Sequence, residues 1–344
     1  MIGPGRTVRG GISTVVDSYY ELGLDQNVKL QYISSMEDGN KTRKLIVAVN
    51  AYWKFCSTVK KCDIVHIHMA AQASFSRKAL FVRKARKAGK KIIIHQHSAD
   101  FDEFFLNQAD DSKRKRIRNV FEMADCIIVL SEEWRDFFSE NVCDIEKIVV
   151  IHNGVIIPNY NKLDYEDKRV LFLGRLGERK GTYDLMKAIP EILKVVPDAK
   201  FYLGGDGDIA ECKKIAIENG FIDSVQFLGW IKDNIKEEYL RKCSTFILPS
   251  YNEGMPMSVL EAMSYGLATI STNAGGIPQI IDNGVNGYRI NAGDIHAITK
   301  VLSELLTNSE RKKELGEKGR RKIIDKFDAT KNIDVMKKLY RSLV

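Results

Sequence analysis

Val170-Leu171-Phe172-Leu173-Gly174-Arg175-Leu176-Gly177-Glu178-Arg179-Lys180-Gly181 is the stretch on which the fold turns. It opens on four large apolar residues in a row and stops at a glycine. A continuous apolar run, rather than strict alternation, is the pattern of a strand covered on both faces. From Thr182 to Val196 the apolar residues take up helical spacing. Strand, basic glycine-bearing turn and helix together make one α/β unit. Arg175 and Lys180 stand about five residues apart at this junction, where two cations can clamp a diphosphate. Arginine offers a planar fork and lysine a point charge. The plainer alternative is ordinary loop basicity.

The same alternation runs outward in both directions. Upstream, Ile64-Val65-His66-Ile67, Lys91-Ile92-Ile93-Ile94-His95, Cys126-Ile127-Ile128-Val129-Leu130 and Ile148-Val149-Val150-Ile151 are strand-like and rich in β-branched residues. Downstream, Phe201-Tyr202-Leu203, Val225-Gln226-Phe227-Leu228, Thr245-Phe246-Ile247-Leu248 and Leu267-Ala268-Thr269-Ile270 repeat the pattern. Longer amphipathic segments separate them, which predicts parallel sheets with helical crossovers. The pattern pauses after His152-Asn153-Gly154-Val155. The polar stretch from Pro158 to Lys168, with Asn159, Asn161, Asp164, Glu166 and Asp167, reads as an interdomain linker. The expected fold class is therefore α/β, with two Rossmann-like domains facing a cleft. The expected domains are 1–160, 161–328 and a terminal helical segment, 329–344. Ligands of such sheets bind beyond the carboxyl ends of the strands.

The chain has 344 residues, 44% apolar and 28% charged, which suits a two-domain globular protein. No apolar run approaches a membrane span, and no charged-then-apolar leader opens the sequence. Six cysteines lack any CxxC spacing and read as reduced core thiols, so a cytoplasmic location is expected. The net charge is +8. Arg77, Lys78, Arg83, Lys84, Arg86, Lys87, Lys90 and Lys91 fall in a stretch without an acid, and Lys113, Arg114, Lys115, Arg116 and Arg118 form a second run. Phe75, Ala79, Val82 and Ala85 recur at helical spacing through the first, which describes a basic amphipathic helix. Without stacking aromatics or a recognition motif, nucleic acid is not the expected partner. An anionic membrane surface is, with a solvated helix face as the alternative.

Glu253-Gly254-Met255-Pro256-Met257-Ser258-Val259-Leu260-Glu261 carries the chemistry. Gly254 frees the backbone, and Pro256 suits a first helical turn. One carboxylate then lies in a loop above a helix start and the other about one turn inside. The N–H groups between them, at Met257, Ser258 and Val259, suit a phosphate. Pro249-Ser250 precedes this segment. Ala262-Met263-Ser264-Tyr265-Gly266, Ala274-Gly275-Gly276-Ile277-Pro278 and Asn283-Gly284-Val285-Asn286-Gly287 follow it. Block by block, this resembles the paired-glutamate motif of the family 4 glycosyltransferases, retaining enzymes of the GT-B fold. The resemblance runs almost end to end and is strongest from Gly174 to Gly287.

The resemblance implies that a sugar moves from a nucleotide sugar to an acceptor hydroxyl, with retention, as in a metal-independent hexosyltransferase. Arg175 and Lys180 would neutralise the diphosphate, together with the amides near Gly254, Met257, Ser258 and Val259. Glu261 would hold ribose hydroxyls, and Glu253 sugar hydroxyls. His97 matches the histidine facing the donor sugar, with a structural hydrogen bond as the alternative. Gly10 and Gly11 match a loop that touches the donor, although only Met1 and Ile2 precede it, so most of one strand is expected to be missing. The 329–344 helix is expected to cross back to the first domain. A UDP-sugar is the leading donor and no cofactor is expected. A lipid-linked glycan is the expected acceptor, in capsule, exopolysaccharide or O-antigen synthesis at the inner face of the cytoplasmic membrane. His66 and His68, with His95 and His97, make two HxH pairs, but parallel strand ends collect polar residues, and no metal site is expected. The competing readings are a non-catalytic binding or assembly protein of this fold, or a nucleotide-sugar epimerase.

Overall fold

The computed structural model describes residues 1–160 and 164–344. The chain divides into two compact units, Met1–Ile156 with Ala329–Val344, and Ile157–Asp328. Within the expected 158–168 linker, residues 161–163 lie outside the described residues.

The first unit is built on β1 (Ile2–Gly3), β2 (Ile33–Ser34), β3 (Ile64–Met69), β4 (Lys91–Gln96), β5 (Cys126–Val129) and β6 (Ile148–Val150). They form one sheet in the order β2-β1-β3-β4-β5-β6, and every pairing is parallel. The unbroken apolar runs are explained by burial on both faces: Ile92, Ile94, Ile127 and Val129 all belong to the core. β1 spans two residues, and it is interior in the sheet. Met1 O and Gly3 O accept from Ile33 N and Ser35 N at 2.9 and 2.8 Å, so the ladder continues past the two assigned residues.

The second unit repeats the plan with β7 (Arg169–Leu173), β8 (Lys200–Gly204), β9 (Val225–Gly229), β10 (Thr245–Leu248), β11 (Ala268–Thr272) and β12 (Tyr288–Ile290). Their order is β12-β11-β10-β7-β8-β9, again parallel throughout. The chain order reverses between β7 and β10. The loops leaving these two strands therefore flank the position where open α/β sheets bind ligands. Those loops hold Arg175 and Lys180 on one side and Glu253 on the other.

Three local expectations are corrected. Pro256 stands one residue before its helix, Met257–Tyr265, with an extended backbone (ψ 119°). The strand read from Leu267 begins at Ala268 and continues to Thr272. The basic helix forms over Gln72–Lys87 and buries Phe75, Ala79, Val82 and Ala85, but Lys78 is buried too. Its ammonium donates to the backbone oxygen of His68. Burial, and then the charge of Arg77, push its amine down to about 7. Lys78 thus belongs to the core and not to the surface charge. Four of the six cysteines are buried, and all six are free thiols. Among the described residues, no helix is long and apolar enough to cross a membrane.

Candidate active site

In the second unit the turn after β7 packs tightly against the end of β10. Gly181 has φ +66°, and a Cβ there would lie 1.9 Å from Pro249 O. Gly275 has φ +50°, and a Cβ there would meet Glu253 O at 1.7 Å. Only glycine allows both the left-handed backbone and such approach. These contacts hold the loop after β7, the 249–256 loop and the 274–276 turn together.

The result is a compact polar cluster. Lys180 Nζ donates to Glu253 Oε1 at 2.5 Å, and Ser250 Oγ donates to the same oxygen at 2.6 Å. Glu253 is 5% exposed. Both bonds fall on Oε1, and neither engages Oε2. Lys180 has spent one of its three donors. Arg175 is different: its side chain is 69% exposed and lies 4.0 Å from Asp206. It is an exposed fork at the rim, whereas Lys180 is a partly buried charge held by Glu253.

The Met257–Tyr265 helix begins beside this cluster. It has no side-chain cap and no acid in its first turn. Its first intrahelical bond is Leu260 N to Pro256 O, so the N–H groups of Met257, Ser258 and Val259 precede the ladder. Partial positive charge at such a terminus suits an anion. Glu261 lies further along the helix, where Lys236 Nζ donates to its Oε1 at 2.6 Å. Lys236 was not legible as a site residue, since it approaches from a different helix, Asp233–Lys242. Ser250 stood in the quoted motif, but its bond to Glu253 depends on the loop's path.

In the first unit the histidines form a ladder. His66 and His68 share one side of β3, and His68 registers with His95 of β4. His97 follows two residues later. The rings of His95 and His97 stack with centroids 4.1 Å apart, and those of His66 and His68 at 4.6 Å. His68 Nδ1 bonds to His97 Nε2 at 2.9 Å, and His66 Nε2 lies 3.3 Å from His95 Nδ1. The far end is closed by the terminal helix, Ala329–Leu343, whose Tyr340 hydroxyl bonds to His66 Nδ1 at 2.6 Å. Burial holds His66 and His68 well below the usual imidazole range and His95 at about 3. His97 is held low by burial and then by its histidine neighbours. The ladder is therefore neutral near pH 7. His66, His68 and His95 bring ring nitrogens within 4.8 Å of one another.

Gly10 and Gly11 open the Gly11–Glu21 helix, which also lacks a side-chain cap and a first-turn acid. A Cβ on Gly10 would meet nothing within 4 Å, but its φ of +146° favours glycine. The second unit thus brings Arg175, Lys180, Glu253, Gly254, Met257, Ser258, Val259 and Glu261 to one sheet end. The first unit carries His97 and the Gly10-Gly11 turn.

A parallel α/β unit with a basic loop beside an uncapped helix start can take a nucleotide diphosphate, and comparison with known proteins identifies the family. Residues 24–157 match the family "Glycosyltransferase Family 4", and residues 156–322 match "Glycosyl transferases group 1". The chain belongs to the family 4 glycosyltransferases, and it is a glycosyltransferase. The UDP-Gal:alpha-D-GlcNAc-diphosphoundecaprenol alpha-1,3-galactosyltransferase of Escherichia coli is 29% identical, covering 93% of this chain and 86% of that protein. The amylovoran biosynthesis glycosyltransferase AmsK of Erwinia amylovora is 26% identical over 71% of this chain and 61% of its own length. Among solved structures, Anabaena Alr3699/HepE in complex with UDP-glucose superposes with a TM-score of 0.79 at 16% identity, covering 100% and 98% of the two chains. Sucrose-phosphate synthase from Thermosynechococcus elongatus gives 0.78 at 18% identity, covering 99% and 98%. These structural likenesses show the GT-B fold.

Proposed function

We propose that this chain transfers a sugar from a UDP-sugar to the hydroxyl of a lipid-linked glycan, with retention and without a divalent metal, at the inner face of the cytoplasmic membrane. The observation that carries the reading is the Lys180–Glu253 pair set beside an uncapped helix start. The charge that develops on the departing diphosphate meets Lys180, Arg175 and the amides of Met257, Ser258 and Val259. Preorganised donors of this kind are usually the largest single contribution to catalysis. They take the place a metal ion would otherwise fill. Glu253 Oε2 is the group for sugar hydroxyls and for the positive face of the sugar as the bond breaks. Glu261 takes the ribose hydroxyls. His97, neutral and held by His68, is assigned to the donor sugar.

Support for a UDP-sugar and a lipid-linked acceptor comes from the names of the Escherichia coli relative and of the HepE complex. The test is release of UDP from a panel of UDP-sugars, with and without a diphosphate-lipid acceptor, in excess chelator. Acceptor-stimulated UDP release and a product with retained anomeric configuration are expected. Strict dependence on added magnesium or manganese would sink the metal-free part. Turnover of GDP- or dTDP-sugars alone would sink the choice of UDP.

A further inference from the structure

The Lys41–Thr58 helix of the first unit has a face that the fold does not use. Its inner face is anchored by Ala51 and Phe55, with Phe55 and Tyr52 meeting Phe81 at centroid distances of 5.2 and 5.5 Å. On the other side Leu45, Ile46, Val49 and Trp53 are 65, 55, 46 and 72% exposed. At 3.6 residues per turn these four fall within an arc of about 100°. They make one contiguous stripe, unlike the single exposed apolar residues that any soluble surface carries. The arc is bordered by Arg43 and Lys54 on one side and by Lys41 on the other. The helix contains no acidic residue. Lys60 and Lys61 follow its end. The neighbouring Gln72–Lys87 helix is also free of acids, but its apolar face is spent on the core.

We infer that the Lys41–Thr58 helix lies in the interface of an anionic lipid bilayer, with Leu45, Ile46, Val49 and Trp53 entering the acyl boundary. Lys41, Arg43 and Lys54, which border the stripe, meet the headgroups. A helix with an apolar stripe, a basic border and a tryptophan at the edge is suited to that plane. A second copy of the chain fits less well. A twofold contact would set this acid-free helix against its own cations, and like charges across an interface are costly. The inference rests on the proposed lipid-linked acceptor for its purpose, and it assigns the docking to an element other than the basic helix named from the sequence. That basic helix supplies charge at Arg83, Lys84, Arg86 and Lys87.

The test uses the full chain and vesicles of phosphatidylcholine with or without phosphatidylglycerol. Sedimentation with the anionic vesicles is expected, weakened by salt. Val49→Asp, an exposed change, is expected to lower partition by about tenfold or more. Emission should shift to the blue on vesicle binding, and this shift should vanish in Trp53→Phe. Neither variant touches the donor residues, so UDP release with a soluble acceptor should be unchanged. Equal binding to both vesicle types, or unimpaired binding by Val49→Asp, would overturn the inference. So would a dimer that Val49→Asp dissociates in a chain that ignores vesicles. Vesicle binding without any UDP-sugar turnover would instead overturn the proposed function and leave the docking helix standing. Turnover with a soluble acceptor and no vesicle binding would do the reverse.

Discussion

Lys180 and Glu253, 73 positions apart in the chain, share a 2.5 Å hydrogen bond in the interior of the second unit. Each was assigned from the sequence to a separate part of the donor. The structure makes them one device: the cation meant for the diphosphate also holds the carboxylate meant for the sugar. Their separate removal should therefore have different consequences for stability and for activity.

Lys180→Met leaves a buried carboxylate with Ser250 as its remaining bonded partner. Breaking a buried pair from one side typically costs about 3–5 kcal/mol. A fall in unfolding free energy toward that range is expected, with turnover reduced by about 10²–10³. Adding Glu253→Gln should restore much of the stability and none of the activity. Denaturant midpoints and UDP release on the two variants and the pair decide it. Full recovery of turnover in the double variant would show that the pair is structural only.

Arg175 is the control for this argument. Its side chain is largely exposed and its ion pair with Asp206 is loose, at 4.0 Å. Arg175→Ala should leave the melting temperature within about 0.5 kcal/mol equivalent of wild type. Transfer should drop by about 10²–10³ if the guanidinium meets developing charge. Near-native turnover would remove Arg175 from the clamp.

Tyr340 tests the ladder behind His97. Tyr340→Phe deletes the bond to His66 and keeps the ring, at an expected cost of about 1–2 kcal/mol in the first unit. His97→Ala deletes the bond to His68 and should cost a similar amount of stability, while reducing turnover with the donor sugar more than it weakens UDP binding. Calorimetry of UDP binding, set beside kcat, separates the two effects. Parallel loss of UDP affinity and kcat would mean that His97 serves the fold rather than the sugar.

Acid should weaken the first unit. His66, His68 and His95 are held below their ordinary value of 6.5 by burial, His95 to about 3. Below about pH 6.5 the unfolded chain binds protons that the native ladder refuses, so stability falls as pH falls. The slope is about 1.4 kcal/mol per pH unit for each such histidine until its native value is reached. Lys78 has the same sign in another window. Its amine is lowered from 10.5 to about 7, so stability should rise with pH between those values. Hydrogen exchange in the β3 and β4 strands at pH 7 and pH 5 reads the first effect. Unchanged protection would show that the histidines are not held neutral.

Much was legible in the sequence because it was local. Continuous β-branched runs announced parallel strands, since burial on both faces leaves no place for polar alternation. Arg175, Lys180, Glu253 and Glu261 stood in recognisable spacing, whereas the close backbone approach at Gly181 and Gly275 emerged only in the structure. What only the tertiary structure decided is which of these groups are already partnered. Lys180 with Glu253, Glu261 with Lys236, and Tyr340 with His66 are pairings between distant segments, and nothing in local pattern encodes them. Exposure divides in the same way. Lys78 and Arg86 read alike in a basic helix, yet one is in the core beside His68 and the other is in water. The Lys41–Thr58 helix shows the converse, because apolar spacing cannot tell a covered face from a bare one. That depends on whether another element packs against it, and packing is a property of the whole fold.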